Sequence, residues 1–169
     1  PVRDVTYWNA LISGYAQHDQ AEEALRCFEQ MQHEGLSPNT ITFVSLLNAC
    51  SIIGAIEKGK EAHNEIICKG CFCGTCIETC IKLGTALVDL YVKCGLLLEA
   101  QRVHDELPIR DVVTWTLMID ACIQLGHVKE AIKLFFTMLK RRVKPNKITY
   151  VRLLKACSGP EALDDGKRI

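Results

Sequence analysis

The stretch SPNTITFVSLLNACS (Ser37–Ser51) returns 107 residues later as KPNKITYVRLLKACS (Lys144–Ser158). A catalytic motif has no reason to recur whole. A structural unit that is stable only when stacked on copies of itself must recur. Extending the match backwards pairs residues 21–51 with 128–158, with fourteen identities in thirty-one positions. They include Glu23/Glu130, Ala24/Ala131, Phe28/Phe135, Met31/Met138, Pro38/Pro145 and Asn39/Asn146. Upstream, RDVTYWN (Arg3–Asn9) is echoed by RDVVTWT (Arg110–Thr116). A period of 107 is too long for one stacking unit, so the interval has to be divided.

It divides at the segments TFVSLL, LGTALV, VTWTLMI and ITYVRLL. The equivalent residues are then Asn9, Val44, Thr85, Thr116 and Val151, spaced by 35, 41, 31 and 35. Each unit reads as a helix, a short turn, a second helix and a short loop. In the first unit Leu11, Ile12 and Tyr15 line one apolar face. The second helix is expected to open at Asp19-x-x-Glu22, a variant of the capping box. It continues through Ala24, Leu25, Phe28 and Met31 at a spacing of three to four. Gly35 is placed to end it and Pro38 to prevent continuation. No segment alternates apolar and polar residues long enough to predict a strand. The expected fold is all-α: an α-solenoid of helical hairpins, with about nine helices.

Bulk composition narrows the function. The 169 residues are 49% apolar and 24% charged, as in globular proteins. Lys+Arg and Asp+Glu stand at 20 each, so net charge points neither to nucleic acid nor to a membrane surface. No apolar run approaches the roughly 18–20 residues that span a bilayer, and no membrane role is expected. The chain opens with Pro1-Val2-Arg3-Asp4 and reads as a piece of a longer one, with any targeting signal outside it.

Of the ten cysteines, Cys50, Cys122 and Cys157 lie in apolar helical contexts, as do Cys27 and Cys94. They read as small buried hydrophobes in a reducing compartment. CKGCFCGTCIETC (Cys68–Cys80) is different, with five cysteines in thirteen residues and a length that exceeds the repeat pattern. Cys71, Cys73, Cys76 and Cys80 are the donors from which a four-thiolate site can be assembled, but the separated pair of knuckles typical of zinc is missing. A lengthened loop between repeats is the expectation, and an irregular register is a further alternative. Neither a metal nor a cofactor is expected.

VTYWNALISGYAQHDQAEEALRCFEQMQHEGLSPN (Val5–Asn39) resembles a pentatricopeptide repeat, and GTALVDLYVKCGLLLEAQRVHDELPIRD (Gly84–Asp111) resembles its short S type. The varying unit length is similar to the plant subclass that mixes P, L and S repeats. The tetratricopeptide repeat, with an invariant period of 34, fits less well. On this resemblance residues 1–4 end a preceding repeat, and Val5–Asn39 is a P unit. Thr40–Cys80 is an L unit with a Cys-rich extension, Ile81–Asp111 an S unit and Val112–Asn146 a second P unit. Residues 147–169 then form a truncated L unit.

The resemblance implies a right-handed superhelix that binds single-stranded RNA at one nucleotide per repeat. In such a protein one side chain of the first helix and the residue closing the repeat read each base. The base-reading positions are then Asn9 with Asn39, Thr85 with Asp111, and Thr116 with Asn146. Asp111 is an acceptor suited to the two donors of guanine, and the amide of Asn146 complements adenine. The paired amides Asn9 and Asn39 resemble the pyrimidine-preferring combination. Val44 and Val151 bring no hydrogen-bonding atoms, so the L units are expected to discriminate weakly. The order of preference is 5′-pyrimidine, any, G, A, any-3′. Stacking on the bases falls to Ile41, Val113 and Ile148, whereas Thr6 and Lys82 do not fit that role. The run Lys140-Arg141-Arg142, with Lys144 and Lys147, is either a phosphate contact or an exposed helix C-terminus favourable to cations.

No nucleophile–base–acid set is present, the five histidines are scattered, and the H-x-E…P-C-x-x-C signature of zinc deaminases is missing. The chain itself is therefore not expected to be an enzyme. The family implies an organellar RNA-processing factor of mitochondrion or chloroplast that specifies C-to-U editing sites, with editing or ribonucleoprotein proteins as further partners. The alternative is a scaffold within an organellar ribonucleoprotein such as a ribosome, which the balanced net charge favours.

Overall fold

The computed structural model describes residues 3–70 and 76–157. Among them are nine α-helices and no strand, as the periodicity predicts. They are α1 (Val5–Gln17), α2 (Ala21–His33), α3 (Thr40–Ile53), α4 (Ile56–Cys68), α5 (Ile77–Lys93), α6 (Leu97–Glu106), α7 (Val112–Gln124), α8 (Val128–Lys140) and α9 (Lys147–Ala156).

The odd-numbered helices form one row in which α1 touches α3, α3 touches α5, α5 touches α7 and α7 touches α9. The even-numbered helices make a second row, each resting on its own partner and on the next odd helix. Composition accounts for the layering. α3 is apolar around most of its circumference and buries Phe43, Leu46, Leu47, Ala49 and Cys50, because it has neighbours on three sides. α2 and α8 carry a single apolar stripe, Ala24–Phe28–Met31 and Ala131–Phe135–Met138, and leave their charged faces to water.

The core therefore runs along the array instead of gathering at one centre. One cluster extends from Trp8 to Met118 and a second from Trp115 to Cys157, with Leu97 and Leu134 packed against both. Two close helix approaches depend on glycine. A Cβ on Gly84 would stand 2.4 Å from Leu107, and one on Gly59 equally close to Leu90.

Helix starts follow a rule by row, with α5 the exception, since its N-cap Cys76 makes no side-chain cap. Asp4, Asn39, Asp111 and Asn146 cap α1, α3, α7 and α9 through their side chains. The even helices start at Gln20, Ala55, Leu96 and His127 with no side-chain cap. The Asp19-x-x-Glu22 box is thus not formed. Asp19 sits instead in left-handed geometry (φ 57°) in the tight turn after α1, where Gln20 N–H reaches back to the Tyr15 carbonyl. At the other end, Gly35 (φ 76°) closes α2 as expected, with its own N–H and that of Leu36 on the carbonyls of Gln32 and Met31. Arg142 (φ 61°) does the same work after α8 without glycine's freedom.

The structure departs from the simple repeat at α5, which has 17 residues where α1 and α7 have 13. It begins at Ile77, so the 80/81 boundary of the sequence reading falls inside its first turn. Part of the Cys-rich extension is therefore helix and not loop. Cys80 and Leu83 are buried along the same stripe as Leu87, and their packing holds the added turn in place.

Candidate nucleic-acid interface

Four odd helices, α1, α3, α7 and α9, begin with the same local arrangement, and α5 does not. At α3, α7 and α9 the residue closing one unit is also the N-cap of the next odd helix, and its Oδ1 accepts backbone N–H groups two or three residues further on. Asn39 Oδ1 takes the N–H groups of Ile41 (3.0 Å) and Thr42 (3.1 Å). Asp111 Oδ1 takes that of Thr114 and Asn146 Oδ1 that of Thr149, both at 2.9 Å. Capping satisfies donors the helix cannot pair internally. It also decides what the side chain has left: the NH₂ of Asn39 and Asn146, and Oδ2 of Asp111, none of which has a partner among the described residues.

The amide orientations follow without ambiguity, since only an oxygen can face backbone N–H groups. With Asn39 Oδ1 so fixed, Asn9 must direct its Nδ2 toward it, and donates at 3.1 Å. The buried Thr42 hydroxyl lies 2.5 Å from Asn9 Oδ1, to which it donates, while accepting the N–H of Asn39 at 3.1 Å. In the fourth unit Thr149 plays the same part. Its hydroxyl lies 2.8 Å from that of Thr116 and 3.0 Å from Asn146 Oδ1, and the Thr116 hydroxyl is within 2.6 Å of the Val112 carbonyl. The structure thus joins Asn9 with Asn39 directly, and Thr116 with Asn146 through a threonine. Thr85 and Asp111 are both half-buried and are not hydrogen-bonded to each other. Sequence reasoning missed Thr42, Thr114 and Thr149, although each stands three residues after a capping Asn or Asp and was open to recognition as such.

Ile41, Val113 and Ile148 occupy the second position of α3, α7 and α9, with 58%, 46% and 56% of their surface exposed. Aliphatic side chains are held open to solvent there beside the free polar atoms of the caps. Lys140, Arg141, Arg142, Lys144 and Lys147 are all exposed.

Cys50, Cys80, Cys122 and Cys157 are buried, and Cys27 and Cys94 half-buried. Burial pushes the Cys50 thiol up to about 12, so it stays protonated and is a poor metal ligand. Cys71 and Cys73 lie outside the described residues. Among the described residues no group of three or more His, Cys, Asp or Glu is placed to hold a metal ion, and no helix is long and apolar enough to cross a membrane.

Hairpins stacked in two rows, with one capped edge repeating a polar pair and an aliphatic side chain, define a helical-hairpin repeat protein. The sequence profile of the PPR repeat family matches residues 3–52 and 110–159, and that of the single PPR repeat matches 41–71 and 85–112. The chain belongs to the pentatricopeptide repeat family. It is 39% identical over its whole length to the chloroplastic pentatricopeptide repeat-containing protein CRR2 of Arabidopsis thaliana, and covers 25% of that protein. It is also 39% identical, over 96% of its length, to a mitochondrial pentatricopeptide repeat-containing protein of the same plant, again covering 25%. The chain thus spans about a quarter of the length of these curated relatives. In fold it matches the crystal structure of the pentatricopeptide repeat protein PPR10 in complex with an 18-nt psaJ RNA element, with a TM-score of 0.78 and 22% identity. That match covers 98% of this chain and 24% of the other.

Proposed function

We propose that this chain binds single-stranded RNA along the capped edge of its odd-numbered helices, one nucleotide to a unit. The observation that carries the reading is the recurrence of one constellation at α3, α7 and α9: a cap with a single free polar group beside an exposed Ile or Val. Family membership and the RNA bound by PPR10 support it. The aliphatic side chains stack on base faces and the caps read base edges. The free Oδ2 of Asp111 accepts from guanine, and the free NH₂ of Asn146 donates to adenine N1 while the Thr116 oxygen accepts from N6. The paired amides of Asn9 and Asn39 resemble the combination that prefers a pyrimidine, with the free NH₂ of Asn39 as a donor.

The units follow the order P (Val5–Asn39), L (Thr40–Cys80), S (Ile81–Asp111), P (Val112–Asn146) and truncated L from residue 147. In this reading the protein acts in chloroplast or mitochondrion, specifies C-to-U editing sites, and leaves chemistry to another domain or to a partner protein.

The test is a low-salt titration with RNAs carrying 5′-CNGAN-3′ against permuted controls. So few units bind weakly, because each stacked base contributes roughly 1–3 kcal/mol before ordering costs. Tighter binding of the ordered sequence is the expected result. Absence of RNA binding at low salt would hand the function to the scaffold reading.

A further inference from the structure

The added turn of α5 changes the slot between α3 and α5. In the first, third and fourth units the closing residue caps the next odd helix and offers a polar atom. In the second unit the residue at the equivalent position, Cys80, is inside a helix and 2% exposed, so it cannot read anything. The turn that displaces the cap brings new groups into its place. Glu78, Thr79 and Lys82 line one cleft together with Ile41 and Val44. Glu78 Oε1 and Lys82 Nζ are 2.7 Å apart, and both side chains are exposed (73% and 58%).

We propose that Glu78 and Lys82 read the base at the second unit, and that the base they select is guanine. This rests on the RNA-binding reading above, and it reverses the expectation that this L unit is indifferent. The chemistry is that of guanine's Watson–Crick edge, which presents the O6 acceptor beside the N1–H and N2–H₂ donors. The Lys82 ammonium has donors to spare for O6. The Glu78 carboxylate keeps Oε2 and its remaining lone pairs for N1–H and N2–H₂. An acceptor and a donor held side by side by an i,i+4 pair therefore match guanine as a set. Adenine and cytosine each set a single amino donor beside a ring-nitrogen acceptor, and uracil a single N–H between two oxygens, so each gives the carboxylate one donor group where guanine gives two. Ile41 and Val44 supply the apolar wall against which the base lies.

The experiment measures binding of 5′-CNGA-3′ RNAs, with N as each of the four bases, by the protein and by its Glu78→Gln and Lys82→Ala variants. Both residues are exposed, so the fold is retained, which circular dichroism checks. Guanine at N is expected to bind about tenfold more tightly than the other bases, as base-edge contacts of this kind do. Glu78→Gln is expected to remove that preference while the preference for G at the third position stays. Equal binding of all four bases at N, with the third position still discriminated, overturns the role of Glu78 and leaves the array reading intact. Loss of discrimination at every position in the unsubstituted protein overturns both.

Discussion

Asn9 Nδ2 donates to Asn39 Oδ1 at 3.1 Å across 30 residues of chain, joining the middle of the first helix of a unit to the residue that ends it. The same oxygen caps α3. Helix capping and the orientation of the paired amides are thus one interaction seen from two sides. A polar pair that is also a cap has its donors and acceptors assigned before any ligand arrives, which lowers the ordering cost of recognition.

Asp111 separates the two roles. Asp111→Asn keeps an Oδ1 for the Thr114 N–H, so thermal stability should stay within a few tenths of a kcal/mol, whereas Asp111→Ala should cost about 1 kcal/mol. In RNA binding the Asn variant should shift the third position from G towards A. Titration with the two RNAs and a melting curve on each variant check this. Equal weakening on G and A would mean that Asp111 only caps.

Thr42 should be worth more than its size. It is fully buried, and its hydroxyl serves Asn9 and the Asn39 N–H together. Thr42→Val preserves the shape and strands both partners, for an expected loss of about 1–3 kcal/mol in urea unfolding. Thr42→Ser should recover most of it.

Stability should fall as pH drops below the ordinary histidine range. His104 is buried edge-on against Trp115 at 4.5 Å, and neither ring nitrogen has a hydrogen-bond partner among the described residues. Burial, and then the nearby Arg110 guanidinium, hold its pKa below the usual 6.5 against the opposing pull of the Asp105 carboxylate, 3.5 Å from Nδ1. The folded state keeps the ring neutral while the unfolded chain takes up a proton from about pH 6.5 downward. The contribution is complete above that pH and lost below it. Burial lowers His63 in the same direction. Melting temperatures between pH 8 and 5.5 should show the decline, and His104→Leu should flatten it.

Arg142 is a site for stabilisation. It holds φ 61° where Gly35 and Gly70 end the equivalent helices α2 and α4, and where Gly95 ends α5. Relief of the left-handed strain should let Arg142→Gly gain up to about 1 kcal/mol. The reverse change, Gly95→Ala, should lose a similar amount, and denaturant midpoints measure both.

The all-α hairpin array was legible in the sequence because helix formation and termination are local. Apolar residues three and four apart, a glycine after the stripe and a proline beyond it set most helix ends without reference to anything distant. The closing residues Asn39, Asp111 and Asn146 were legible for the same reason, standing just before the next periodic run. Only the tertiary structure decided which first-helix residue each of them meets, because the Asn9–Asn39 bond and the Thr116–Thr149 contact that links Thr116 to Asn146 are made by packing one helix on another. It decided the start of α5 too. The spacing of Cys80, Leu83 and Leu87 carries the stripe one turn upstream, but the added turn stands because that stripe is buried in the packed array, which the repeat alignment could not supply. Local sequence sets which conformation each segment prefers, and burial against neighbouring units sets where that preference is allowed to continue.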